Sequence, residues 1–244
     1  MRILRLSNSD DTHPDVADDD RSYRLTERAI EAATGEPVET ICRDIWPGPE
    51  LPDIVEGWLT RYEPDVVIFL VSGYWFTFVN LPDAPRPRWK PARRAGRLAA
   101  RLGIKSPVVY RIGKVRRHLL TWRSAGSTAF EPQEVIARSD AVIRRVLRHE
   151  EITLVVGGSR YPNVSQLSRT ILARGEVRRL VVHRALKNLC AQLYIPYTGI
   201  EDGLEYVRQE HLCADGLHQN AKAHAMMAEE ETAAILAELA RRGR

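Results

Sequence analysis

The residues from Val66 to Val71 form the most apolar run of the sequence and constrain the fold more than any other stretch. The run consists of β-branched, aromatic and leucine side chains, and apolar and polar positions do not alternate within it. A strand with one face in water alternates, whereas a strand covered on both faces has no need to. The run therefore predicts a central strand of a parallel sheet that has helices on both sides.

Shorter apolar segments and helical patterns alternate along the rest of the chain. We predict further strands at residues 3–6, 38–41, 152–156 and 194–197. We predict helices at residues 21–33, 51–61, 132–150 and 177–193, and a last helix that Asn220 caps. Alternating strands and helices are typical of doubly wound α/β proteins. Because the 244 residues show no break in composition, we expect one domain, a three-layer α/β/α sandwich around a mainly parallel five-stranded sheet.

The bulk properties point to a cytoplasmic protein. No run approaches the ~18 apolar residues of a membrane span, and the first residues resemble a strand more than a leader peptide. The three cysteines, Cys42, Cys190 and Cys213, are odd in number and have no metal-like spacing. This pattern is typical of reduced thiols in a cytosol and not of a disulfide framework.

Positive charge is concentrated in one segment, residues 82–127. This segment holds 13 Lys or Arg residues and one acid, whereas the remainder of the chain holds 23 basic and 31 acidic residues. A core-forming segment would not concentrate so much like charge, so we predict an insertion over or beside a functional site. It is either a solvated basic face or a surface for an anionic substrate or partner, with Arg93, Arg94 and Arg97 as candidates for binding. No nucleic-acid motif accompanies the charge, so nucleic acid is not an expected partner.

Candidate chemical groups lie at the two ends of the chain. Asp215 precedes His218 by three residues on a Gly-containing loop before the last helix, and Ser9 follows the first strand. Functional sites of parallel sheets form at the carboxyl ends of the strands, so the two ends are expected to meet there. In that arrangement Ser9 would be the nucleophile, His218 the general base and Asp215 the acid that holds the histidine tautomer.

The same blocks resemble the SGNH (GDSL-like) hydrolase family, which has Gly-Asp-Ser after its first strand and Asp-x-x-His before its last helix. Ser7-Asn8-Ser9 keeps the serine of the first block, and Asp215-Gly-Leu-His218 matches the last block. The resemblance implies a flavodoxin-like fold and ester cleavage through an acyl-enzyme intermediate, without a metal or an organic cofactor. It also implies small-molecule, glycan or lipid esters as substrates, and the basic segment would suit anionic ones. No feature of the sequence indicates the oligomeric state.

The residues that would stabilise an oxyanion match the family less well. Gly48 corresponds to a glycine whose N–H serves this purpose in the family, although it also fits a simple turn between prolines. The third family block, Gly-x-Asn-Asp, is replaced by Ser72-Gly73-Tyr74-Trp75, so that Tyr74 stands where Asn is expected. The next amide side chain is Asn80. The phenol could donate in place of the amide, Asn80 could reach the site, or this donor is missing.

Three other interpretations use the same residues. An acyltransferase would use the same triad with an acceptor other than water. A catalytically impaired module would instead bind an anionic partner through the basic segment. A zinc site made of His211, Cys213, Asp215 and His218 has suitable side chains, but its spacing fits no usual zinc motif. His13 is close enough to Ser9 in sequence to border the cleft.

Overall fold

The structure is a computed structural model that describes residues 1–77, 128–162, 169–208, 210–213 and 218–243. The basic segment with Arg93, Arg94 and Arg97, together with Asn80 and Asp215, lies outside the described residues. Within these ranges, no helix combines the length and the apolar character that a membrane span needs.

The centre of the fold is a sheet of five parallel strands. The strands are β1 (Arg2–Ser7), β2 (Glu39–Asp44), β3 (Val66–Leu70), β4 (Thr153–Gly157) and β5 (Tyr197–Thr198). Their order in the sheet is β2-β1-β3-β4-β5, and each neighbouring pair is parallel. This is the flavodoxin-like order, in which the chain changes direction across the sheet between β1 and β3. The predicted fold class is confirmed, and the apolar run forms the middle strand.

Helices cover both faces of this sheet. The helices are α1 (Ser22–Thr34), α2 (Leu51–Tyr62), α3 (Pro132–Val146), α4 (Arg169–Gln192), α5 (Gly203–Arg208) and α6 (Ala221–Arg241). On one face, Leu4 and Leu6 of β1 join a core with residues of α2, α3 and α4. On the other face, Ile3 joins Ile30 of α1 and Ile235 of α6. Successive side chains of a strand point to opposite faces, so β1 supplies both cores.

Local signals set the ends of two helices. Gly35 takes a left-handed conformation with φ of 74° and ends α1, where its N–H donates to the Glu31 carbonyl. The Asn220 side chain accepts from the Ala223 N–H at 3.1 Å, so the predicted cap of the last helix is confirmed. None of the three cysteines, which all lie within the described ranges, forms a disulfide.

The prediction for the fifth strand was wrong in its bounds. Tyr194 has a φ of 55° and is 85% exposed, so it belongs to the turn after α4 and not to a strand. At this edge of the sheet β4 pairs with Tyr197 and Thr198. In addition, α4 begins at Arg169, before the predicted residue 177, and α3 ends at Val146 instead of residue 150. At the other edge β2 continues to Asp44, because Asp44 pairs with Ser7.

Candidate active site

A cavity of about 280 Å³ lies at the carboxyl edge of the sheet. The segments that follow β1, β2, β3 and β4 contribute to its lining, as do β5 and the loop before α6. Its wall includes Ser9, Gly73, Tyr74, Arg160 and His218. The change of direction between β1 and β3 leaves a crevice here, as is usual for open parallel sheets.

Ser9 and His218 meet at this cavity. Ser9 begins a 3-10 turn, Ser9–Thr12, directly after β1, and its Oγ lies 3.1 Å from Nε2 of His218. This separation is within the range for proton transfer between a hydroxyl and an imidazole. With the proton on Nδ1, Nε2 accepts from the serine hydroxyl, so the pair has the geometry of a nucleophile and its base.

The main chain around His218 is held on both sides. Leu212 and Gln219 form an antiparallel bridge, and the Cys213 N–H donates to the His218 carbonyl at 2.8 Å. The Gln219 side chain accepts from the Tyr206 hydroxyl at 2.7 Å. Asn220, the cap of α6, follows His218 by two residues. The main chain that carries the imidazole is therefore restrained. Asp215, the predicted acid, lies outside the described residues.

His13 contacts the imidazole of His218. The two rings stack with centroids 4.0 Å apart and an interplanar angle of 25°. His13 follows the Ser9–Thr12 turn, so the segment that carries Ser9 also supplies a flat surface against the imidazole of His218. The sequence pointed to this position only through its closeness to Ser9.

The predicted oxyanion residues lie in different surroundings. The Gly48 N–H donates to the Trp46 carbonyl at 2.7 Å, and Gly48 is not among the described residues that line the cavity. Gly73 and Tyr74 do line it, in a 3-10 turn, Gly73–Trp75, after β3. The Tyr74 N–H donates to Ser72 Oγ at 3.3 Å. Asn80 lies outside the described residues.

Arg160 borders the cavity in a position that sequence reasoning missed. It lies three residues after β4 ends at Gly157, and its side chain is only 5% exposed. Its Nη1 and Nη2 donate to the two carboxylate oxygens of Glu230 on α6 at 3.0 and 2.7 Å. This bidentate pair joins the end of β4 to the last helix.

The zinc set considered from the sequence does not form as a whole among the described residues. His211 Nδ1 donates to the Tyr206 carbonyl at 2.7 Å and is buried. Cys213 instead lies near His13 and Asp15, whose ligand atoms and the thiol sulfur are all within 4.8 Å of one another. Zinc forms bonds of ~2.0–2.3 Å, so the ligand atoms of a tetrahedral site are roughly 3.5 Å apart. The segments that carry His13, Asp15 and Cys213 would therefore have to come closer together to hold the ion.

A second buried histidine, His224, predicts an acid-dependent loss of stability. It is fully buried, and its Nδ1 accepts from the Ser22 N–H at 3.1 Å. Burial lowers the pKa of His224 from 6.5 to about 4, so the unfolded chain binds this proton more readily than the folded one. Stability therefore falls as the pH drops from about 6.5 towards 4, by about 2 kcal/mol between pH 7 and pH 5.

Chemical denaturation of the wild type and His224→Gln across this pH range tests that expectation. The variant should lose this part of the pH dependence, whereas a control at a partly exposed histidine, His149→Gln, should keep it. Equal slopes for the wild type and His224→Gln would contradict the assignment.

Comparisons with known proteins place the chain among esterase-like folds. No family model matches the chain, and no curated protein matches it in sequence. Among solved structures, a psychrotrophic esterase, EstA, from Pseudoalteromonas sp. superposes with a TM-score of 0.55 at 10% identity, over 98% of each chain. A family 3 carbohydrate esterase from Clostridium thermocellum gives a TM-score of 0.56 at 12% identity, over 99% of this chain and 98% of that one. The lipase Lip_vut3 from a goat rumen metagenome gives 0.58 at 12% identity, over 96% and 97% of the two chains. At these identities the likeness concerns the fold.

Proposed function

We propose that this protein is a serine ester hydrolase of the SGNH type, with Ser9 as the nucleophile and His218 as the base. The observation that carries the proposal is the 3.1 Å separation between Ser9 Oγ and His218 Nε2 at the mouth of a cavity. A serine hydroxyl is a weak nucleophile until an adjacent base takes its proton. The proposal assigns this activation to His218.

The reaction proceeds in two halves. In the first, Ser9 Oγ bonds to the ester carbonyl carbon while its proton passes to His218 Nε2, and the tetrahedral adduct then expels the alcohol, which takes that proton. This leaves an acyl group on Ser9. In the second half, water attacks the acyl carbon with His218 again accepting the proton, and the acid is released as Ser9 regains its hydrogen.

Asp215 is proposed as the acid that holds the tautomer of His218. Its place three residues before the histidine supports the role, because the carboxylate and the imidazole then share one short loop. The N–H of Cys213 anchors one end of this loop to the His218 carbonyl, which brings the loop ends together. A carboxylate at Nδ1 keeps Nε2 free to accept the serine proton.

Gly73 and Tyr74 are proposed as the source of oxyanion donors, because both line the cavity that contains Ser9. Gly48 receives less support, since it is not among the described residues that line the cavity. Asn80 remains a prediction from the sequence. Backbone and side-chain donors aimed at a developing negative oxygen contribute strongly to acyl transfer.

The structural neighbours support ester cleavage as the reaction class. Their descriptions name an esterase, a carbohydrate esterase and a lipase, all of which act on esters. The EstA structure was obtained with a monoethylphosphonate inhibitor. We propose a small-molecule, glycan or lipid ester as the substrate, and the basic segment with Arg93, Arg94 and Arg97 remains the predicted contact for an anionic group.

A fluorophosphonate probe tests the proposal, since an activated serine forms an Oγ–P bond and displaces fluoride. We expect the folded wild type to carry one adduct, and mass mapping should place it on the peptide that contains Ser9. The variant Ser139→Ala, which changes a buried serine of α3 away from the cavity, should label like the wild type. A folded protein that stays unlabelled, or that is labelled at another residue, would argue against the proposed nucleophile.

A further inference from the structure

A charged residue occupies the middle of strand β1, where apolar side chains surround it. Arg5 is fully buried and shares its face of the sheet with Ile3 and Ile68. Its guanidinium makes three contacts with side chains. Nε donates to Asp11 Oδ2 at 2.7 Å, Nη1 to Glu231 Oε2 at 2.6 Å and Nη2 to Ser22 Oγ at 2.9 Å. Asp11 and Glu231 are themselves at most 2% exposed.

Two of these three partners relate to the segments that carry the two reacting side chains, while Ser22 belongs to α1. Asp11 lies in the Ser9–Thr12 turn, two residues after the nucleophile. Glu231 lies on α6, whose capping residue follows His218 by two positions. One guanidinium thus joins the first strand, the Ser9–Thr12 turn and α6, the helix that follows His218 in the chain.

Stability alone does not explain an arginine at this position. Burial opposes the charged form, but Asp11 and Glu231 outweigh that effect and hold the pKa of Arg5 above its ordinary value. A buried ion cluster often contributes no more stability than apolar side chains of similar volume, because desolvation of the charges offsets their attraction. Unlike an apolar contact, the cluster fixes the relative orientation of its members. The planar guanidinium has several N–H donors in set directions, and these determine where its partners lie.

We propose that Arg5 is a positioning residue that sets the distance between Ser9 and His218. The inference rests on the proposed ester hydrolase function. Arg5 acts on Ser9 through Asp11 and on His218 through Glu231 and the start of α6.

Hydrogen bonds within the Ser9–Thr12 turn tie the position of Ser9 to the position of Asp11. The Asp11 N–H donates to the Asn8 carbonyl at 3.3 Å, and the Thr12 hydroxyl donates to the Ser9 carbonyl at 3.3 Å. These bonds make the turn a small closed unit. Misplacing a reacting atom by about 1 Å can cost about a hundredfold in rate, so a turn released from Arg5 should react more slowly while substrate binding changes little.

The decisive variant removes the charges together. In the triple variant Arg5→Met/Asp11→Leu/Glu231→Met, no unpaired charge of this cluster is left in the core, so the protein should fold with a melting temperature near that of the wild type. We expect kcat for an activated ester, and the rate of fluorophosphonate labelling at Ser9, to fall about tenfold to a hundredfold with KM nearly unchanged. The conservative variant Glu231→Gln keeps an oxygen acceptor for Arg5 and should retain most of the activity.

A matched control separates positioning from stability. Ile3→Ala creates a cavity on the same strand and face, and should lower the melting temperature without changing kcat. If the triple variant labels at the wild-type rate, the positioning role is overturned while the proposed function stands. If the wild type itself does not label, the proposed function fails first and this inference with it.

Three single variants, Arg5→Lys, Asp11→Asn and Asp11→Ala, decide the question if the triple variant does not fold. Arg5→Lys keeps the charge but loses the fork, and Asp11→Asn keeps an acceptor for Nε. The positioning role predicts that Arg5→Lys is labelled more slowly than the wild type at an unchanged folded fraction. It also predicts that Asp11→Asn is more active than Asp11→Ala. Wild-type rates in Arg5→Lys and Asp11→Ala overturn it.

Discussion

His218→Ala is expected to lower kcat for ester hydrolysis by about 10⁴-fold or more, and Ser9→Ala should have a similar effect. Without the imidazole, the serine hydroxyl 3.1 Å away has no base to accept its proton, and the leaving alcohol has no acid. Both variants should also abolish fluorophosphonate labelling. The measurement is initial-rate hydrolysis of an activated ester, together with mass mapping of the labelled protein.

The double variant makes this prediction sharper. Residues that act as one unit are not additive, so Ser9→Ala/His218→Ala should be no slower than either single variant. His149→Ala is the matched control, because His149 lies three residues after α3, beside Glu56 and not at the cavity. Near-wild-type hydrolysis by a well-folded His218→Ala would contradict the proposed base.

Gly73→Ala is expected to lower kcat/KM by about a hundredfold, the size of effect that follows the loss of one oxyanion donor. A methyl group at Gly73 would stand 2.8 Å from the Tyr161 carbonyl and would collide with Ser159 Oγ. The serine can rotate away, but the carbonyl belongs to the main chain. The Gly73–Trp75 turn must therefore shift from its place at the cavity wall, and the donors that it carries shift with it.

Two variants control for the methyl group itself. Gly57→Ala adds the same methyl in α2, where nothing lies within 4 Å, and should leave activity unchanged and slightly raise stability. Gly73→Ala/Ser159→Ala removes one of the two obstacles and should recover part of the lost rate. Wild-type kcat/KM in Gly73→Ala would exclude this turn as an oxyanion donor.

Much of the fold follows from patterns within short stretches of sequence. The apolar run from Val66 predicted a strand covered on both faces, and β3 is the middle strand of the sheet. The caps at Gly35 and Asn220 were equally local, because each depends on bonds to residues no more than four positions away. Such features can be predicted without knowledge of the rest of the chain.

Features that depend on distant partners were harder to predict. The fifth strand was misplaced because an edge strand with two paired residues has almost no pattern of its own. Arg5 interrupts the apolar residues Ile3, Leu4 and Leu6 of β1, which was a visible signal, but its partner Glu231 is 226 residues away. The stacking of His13 on His218 likewise joins opposite ends of the chain.

The sequence by itself determined the layers of the fold, the order of strands and helices along the chain, and the candidate serine and histidine. Periodicity and caps are local, so they can be read without a structure. Only the tertiary structure decided that Ser9 Oγ and His218 Nε2 lie 3.1 Å apart, that Gly73 lines the cavity, and that Arg5 donates to both Asp11 and Glu231. Those relations depend on how the strands order in the sheet and how α6 packs against it, because contacts between residues far apart in sequence form only when the whole core assembles.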